Sequence, residues 1–156
     1  MKQSLVVATD ILLKQIKDNK LEDYFCNYRK KGTKLYITIG VRNSVEENLD
    51  NDTQTQTWHR LLNEGISQGL IVKSRHKYQL EHDYKILYRH LRTIGDKLTD
   101  VEKEVIALSL QEGFEVDTGN PSIVKVLHHI ELTPHLQKYA RKLISHRFPK
   151  EEEMLE

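Results

Sequence analysis

Apolar and polar positions recur with two different periods along this chain, and each period predicts its own kind of element. Leu5, Ala8, Leu12 and Ile16 lie three or four apart, the spacing of one helix face, and predict a first helix over 4–19. Leu35, Ile37, Ile39 and Val41 instead alternate with Tyr36, Thr38 and Gly40, which predicts a strand running to residue 41. Upstream, Tyr24, Cys26 and Tyr28 also alternate, and the glycine-containing stretch 29–34 (RKKGTK) suits a hairpin tip. A short helix over 21–28 is the competing expectation for the same residues.

Capping signals punctuate the chain beyond residue 43. Ser44-x-x-Glu47 has capping-box form and predicts a short helix that stops near 48–51. Thr53-x-x-Gln56 is a second such signal, opening a helix over 53–68 with Trp58, Leu61, Leu62 and Ile66 on one side and Gly69 at its end. Leu70, Ile71 and Val72 then form an extended run, 73–77 (KSRHK) is turn-like, and 78–81 alternates again, which predicts a hairpin. The second half reads as helical. Tyr84, Leu87, Leu91 and Ile94 mark a helix over 83–96, and Thr99-x-x-Glu102 opens the next, with Val101, Val105 and Leu108. Residues 113–119 are expected to be a loop. Asn120-Pro121 reads as an N-cap followed by a proline at the first helical position, where the missing N–H has no consequence. Thr133-Pro134 repeats the device ahead of Leu136, Tyr139, Ala140, Leu143 and Ile144. No internal repeat of solenoid length is present.

Composition narrows the class. The 156 residues suit one domain or two small ones, and 24 Lys+Arg against 23 Asp+Glu leave a net charge of +1. Charges break every apolar run well before the roughly 20 residues of a membrane helix, so no membrane partner is expected. Asp10 interrupts the apolar start, which argues against a signal peptide. Cys26 is the single cysteine. It allows no intramolecular disulfide and no cysteine-based metal site, and a reducing, cytoplasmic location is expected.

The sharpest sequence signal lies in 52–81. Trp58-His59-Arg60-Leu61-Leu62, Gln68-Gly69-Leu70-Ile71 and Tyr78-Gln79-Leu80 follow one another as helix, glycine exit and hairpin. This order resembles a winged helix-turn-helix, as in MarR-type regulators and the C-terminal winged helix of RecQ-type helicases. The likeness is one of fold and covers about 35–81. Gly65 departs from it, since such domains carry a bulky apolar residue there. The resemblance implies binding to double-stranded DNA. The residues point the same way: with Trp58 and Leu62 inward, the opposite helix face carries Thr53, Gln56, Arg60, Asn63 and Ser67. Arg matches the two major-groove acceptors of guanine, and Asn and Gln match the donor–acceptor pair of adenine. Lys73, Arg75, His76 and Lys77 on the wing are placed to hold the backbone. Lys85, Arg89 and Arg92 line one side of the following helix and extend the basic stripe. An ordinary solvated helix face would carry the same residue types.

Other features carry less. Residues 121–147 are expected to form two proline-opened helices, as a second helix-turn-helix or as a module for dimerisation, which palindromic sites require. His128, His129 and His135 lack a metal-binding spacing, no phosphate-binding glycine loop is present, and no catalytic triad is visible. Cys26 among aromatics suits packing.

The sequence therefore predicts an α+β, mostly helical fold: a winged-helix domain with its N-terminal helix over 1–96, a helical C-terminal module over 97–148, and an acidic tail over 149–156. The expected function is non-catalytic binding of double-stranded DNA in transcription, replication, phage or plasmid regulation, with no cofactor or metal and with homodimerisation through the C-terminal helices. One alternative is a winged-helix protein–protein adaptor in a larger assembly, which the neutral charge and the acidic tail suit. Another is a small metal-dependent nuclease.

Overall fold

Four short strands lie parallel in one sheet, with six helices around them among the residues that the computed structural model describes, 3–73, 98–112 and 114–131. The chain runs β1 (Ser4–Val7), α1 (Thr9–Lys17), α2 (Leu21–Lys31), β2 (Lys34–Ile37), α3 (Ile39–Glu47), α4 (Asp52–Ser67) and β3 (Ile71–Lys73). It resumes with α5 (Asp100–Glu112), β4 (Glu115–Asp117) and α6 (Pro121–Glu131). The mixed, mostly helical class expected from the sequence is what the chain adopts.

The spatial order of the strands is β3-β2-β1-β4. Leu5 pairs with Leu35 on one side and with Glu115 on the other, while Leu35 also pairs with Ile71. Parallel neighbours need a crossover rather than a hairpin, and here helices supply it. Three segments consequently differ from the sequence expectation. The first helix starts at Thr9, because 4–7 form β1, with Val6 and Val7 fully buried in the middle of the sheet. A strand buried on both faces is apolar throughout, so its residues fit a helical stripe equally well. The strand expected to reach residue 41 ends at Ile37, where Thr38 caps α3 by accepting from Val41 N–H at 3.1 Å. The loop expected at 113–119 contains β4.

The helical alternative holds for 21–31. Gly32, at φ +71°, closes α2 in the left-handed conformation that L side chains rarely adopt. Ser44 lies inside α3 rather than at its cap. The cap of α4 is Asn51 rather than Thr53, with Asn51 Oδ1 accepting from Gln54 N–H at 2.9 Å. The two C-terminal caps are where the sequence placed them. Thr99 Oγ1 accepts from Glu102 N–H at 3.2 Å and Asn120 Oδ1 accepts from Ser122 N–H at 2.9 Å.

In the stretch that resembles a winged helix, α4 is present and buries Trp58, Leu61 and Leu62. The strands that flank α3 and α4 are parallel to each other, whereas a hairpin wing is antiparallel by construction. The rest of the expected hairpin, beyond Lys73, and the helix expected over 83–96 lie outside the described residues. So do residues 132–156, with the last expected helix and the acidic tail. Residues 98–131, which the sequence assigns to a separate module, contribute β4 to the common sheet. They also place Val105, Ile106, Leu108, Ile123 and Val126 in the same core as Val6, Leu12, Tyr36 and Trp58.

Candidate functional site

The strand order puts a break in the middle of the sheet. From β1 the chain steps outward to β2 and β3, then returns to the far side of β1 as β4. The strand order thus breaks between β1 and β4, and it is beside such a break, outside the carboxyl ends of the strands, that an open parallel sheet has its ligand crevice. A crevice of about 340 Å³ lies there, lined by Ala8, Thr9, Asp10, Ser44, Thr99, Glu102 and Asn120 among others. Leu13, Val101, Val105 and Ile123 give it apolar walls.

Three helices begin at this crevice. Ala8, Thr9 and Asp10 start α1, Thr99 and Glu102 start α5, and Asn120 starts α6. Each helix start carries free N–H groups and the positive end of a helix dipole. Thr99 and Asn120 satisfy one N–H each on their own helices. The cap of α1 is Ala8, which has no side-chain oxygen, so no side chain caps that helix. Two polar atoms at the crevice, Thr9 Oγ1 and Glu102 Oε2, are shut off from solvent with no hydrogen-bond partner among the described residues.

Two carboxylates face this frame. Asp10 lies in the first turn of α1, just after β1, and is gripped from the turn after β4: Thr118 Oγ1 donates to Oδ1 at 2.9 Å and Gly119 N–H donates to Oδ2 at 2.6 Å. Glu102 enters from the first turn of α5. Behind it on the same helix, buried Glu104 accepts from Gly40 N–H at 3.1 Å and ties α5 to the start of α3. Asp117, at the end of β4, accepts from the Tyr24 hydroxyl at 2.6 Å. Burial, and then that hydrogen bond to a carboxylate, push the Tyr24 phenol above the ordinary tyrosine range.

Those residues singled out from the sequence that the structure describes lie outside this crevice. Thr53, Gln56, Arg60, Asn63 and Ser67 are all exposed along the outer face of α4, where Arg60 pairs with Glu64 at 3.6 Å. Lys73 ends β3 and is part-buried. Arg75, His76, Lys77, Lys85, Arg89 and Arg92 lie outside the described residues. His128 and His129 are neighbours on α6, and His135 lies outside the described residues. No group of three or more His, Cys, Asp or Glu suited to a metal ion occurs among the described residues. Cys26 is a free, part-buried thiol beside a smaller cavity of about 210 Å³ between α2 and α4.

The sequence reading missed Thr9, Asp10, Ser44, Glu102 and Asn120 as site residues. In the sequence, Ser44, Glu102 and Asn120 have the form of capping groups, and Asp10 that of an interruption. The available signal was an acid placed just after an apolar, β-branched run and just inside a helix, but that signal is specific only once Val6 and Val7 are known to form a strand. The chain matches no protein-family model, and no curated protein or solved structure is significantly similar to it.

Proposed function

We propose that this crevice binds a phosphate-bearing ligand together with a hard divalent cation, and that the protein is a small metal-dependent phosphodiesterase acting on nucleic acid. The observation that carries the proposal is that one crevice is lined both by two acidic side chains, Asp10 and Glu102, and by three helix starts, where the strand order of a parallel sheet breaks. Each half of that arrangement suits one partner. Magnesium is commonly held by one or two carboxylates, with substrate phosphate oxygens and water completing its shell, so a larger protein cage is not required. Helix N-termini favour the phosphate itself. In hydrolysis the water oxygen forms the new bond to phosphorus, the ester P–O bond breaks, and the leaving oxygen takes up a proton. The Asp10 and Glu102 carboxylates would hold the cation that polarises the phosphate and activates the water.

The experiment is cleavage of end-labelled single-stranded and duplex nucleic acids by the full chain, with Mg²⁺, with Mn²⁺ and with chelator. Cation-dependent cleavage that disappears in Asp10→Asn and in Glu102→Gln is the expected result. Cleavage that survives both substitutions, or a folded protein that neither cleaves nor binds Mn²⁺, sinks the proposal.

A second reading rests on a different observation. The outer face of α4 is exposed over its whole length, from Thr53 to Ser67, with Gln56, Arg60 and Asn63 presented to solvent. Non-catalytic binding of double-stranded DNA through this face remains a coherent use of those side chains. Fluorescence anisotropy with a duplex at two salt concentrations tests it. Binding by this face weakens steeply with salt, and Arg60→Ala loses more affinity on a preferred sequence than on a random one. Equal losses on every sequence exclude base reading by Arg60.

A further inference from the structure

The end of β4 and the turn that follows it touch the β1–α1 corner three times. Ala8 N–H donates to the Asp117 carbonyl at 3.1 Å, Thr118 Oγ1 donates to Asp10 Oδ1, and Gly119 N–H donates to Asp10 Oδ2. The turn is itself anchored from behind, because the Tyr24 hydroxyl holds Asp117 Oδ2. Thr118 Oγ1 also accepts from Asn120 N–H at 3.0 Å. A hydroxyl has one proton to give, and here it goes to Asp10. Each oxygen of the Asp10 carboxylate thus takes one hydrogen bond from the turn and keeps a lone pair for a cation. Two donors on a short turn fix the tilt and the rotation of a carboxylate that would otherwise swing about its own torsions.

We propose that Thr118 and Gly119 are positioning residues, which set the orientation in which Asp10 meets its cation without ligating it themselves. The inference rests on the proposed role of the crevice as a cation and phosphate site. Outer partners of metal-binding carboxylates act in this way, by orienting the ligand and tuning its basicity. A turn that merely fastened two corners of the fold together would affect stability and leave cation affinity alone.

Calorimetric titration of the full chain with MnCl₂, paired with urea unfolding, separates the two roles. Thr118→Val removes the hydroxyl at nearly constant volume, and Thr118→Ser restores it. Gly119→Ala is a second, independent variant. A Cβ there would lie 3.2 Å from Asp10 Oδ2, close enough to push the carboxylate while leaving both hydrogen-bond donors present. The expected result is Mn²⁺ affinity about tenfold weaker in Thr118→Val and in Gly119→Ala, with Thr118→Ser near the wild type. Equal affinity in all four proteins overturns the positioning role and leaves the crevice proposal standing. Wild-type protein that binds no Mn²⁺ overturns both. If Thr118→Val does not fold, Gly119→Ala decides.

Discussion

At the scale of single residues, close approach and burial explain positions that composition leaves arbitrary. Gly65 interrupts the apolar stripe of α4 because β3 packs directly on it. An added Cβ would lie 2.8 Å from Ile71 Cγ1, and nearer still to Cδ1. Gly65→Ala gains about 1 kcal/mol of helix propensity, yet overpacking of this kind costs about 1–3 kcal/mol. The variant should therefore unfold at lower urea than the wild type, and an increase in midpoint would show that Ile71 yields freely. Tyr24 gives a pH prediction. Its phenol binds its proton more tightly in the folded state, so its contribution is complete below pH about 10, the unfolded value. That contribution is lost as pH rises from there toward the folded value, and Tyr28, raised chiefly by partial burial, adds to the decline. Tyr24→Phe should lose about 1–2 kcal/mol at neutral pH, since its hydrogen bond ends on a carboxylate, and should show a shallower decline above pH 10. Chemical denaturation at pH 7, 9.5 and 11 reads both effects.

At the scale of elements, caps decided the helix boundaries, and the candidate site is built where several of them meet. The pattern S/T-x-x-E/Q occurs three times before residue 103, but it marks a real helix start only at Thr99. At Ser44 and Thr53 a better cap lies a few residues upstream, in Thr38 and Asn51. Asn51→Ala should destabilise the protein by about 1 kcal/mol, whereas Thr53→Ala, at an exposed position inside the helix, should change stability by less than about 0.5 kcal/mol. Thermal unfolding of the two variants side by side measures the difference. Similar losses at both positions would move the cap back to Thr53. The same principle gives Ala8 its interest, because an alanine at an N-cap leaves α1 without a side-chain cap beside the crevice.

At the scale of the whole molecule, β1 is the organising strand. It is hydrogen-bonded on both sides, and the partner on one side comes from residues 115–117. Truncation after residue 96, the domain boundary the sequence suggested, would strip β4 and α5 from β1 and leave Val6 and Val7 against water. Such a fragment should show no cooperative urea transition and no dispersed amide spectrum. A well-dispersed, cooperatively unfolding fragment would show that residues 1–96 are a domain after all. The candidate site shares this dependence, since Asp10 comes from one end of the chain while Glu102, Thr118 and Asn120 come from the other.

The sequence by itself determined the mixed, mostly helical composition, the buried face of α4, two of the N-caps and the exposed row from Thr53 to Ser67. Each of these depends on neighbours within a turn or two of helix, which periodicity and capping chemistry record directly. Tertiary structure decided that 4–7 is a strand, that the strands run parallel, and that Asp10 and Glu102 share a crevice. A four-residue buried strand is shorter than the window in which helical and extended periods differ. Pairing in a parallel sheet, moreover, joins segments whose sequences carry no mark of each other. For those reasons the residues most visible in the sequence lie along α4, and the residues that line the crevice became legible only when β4 was placed beside β1.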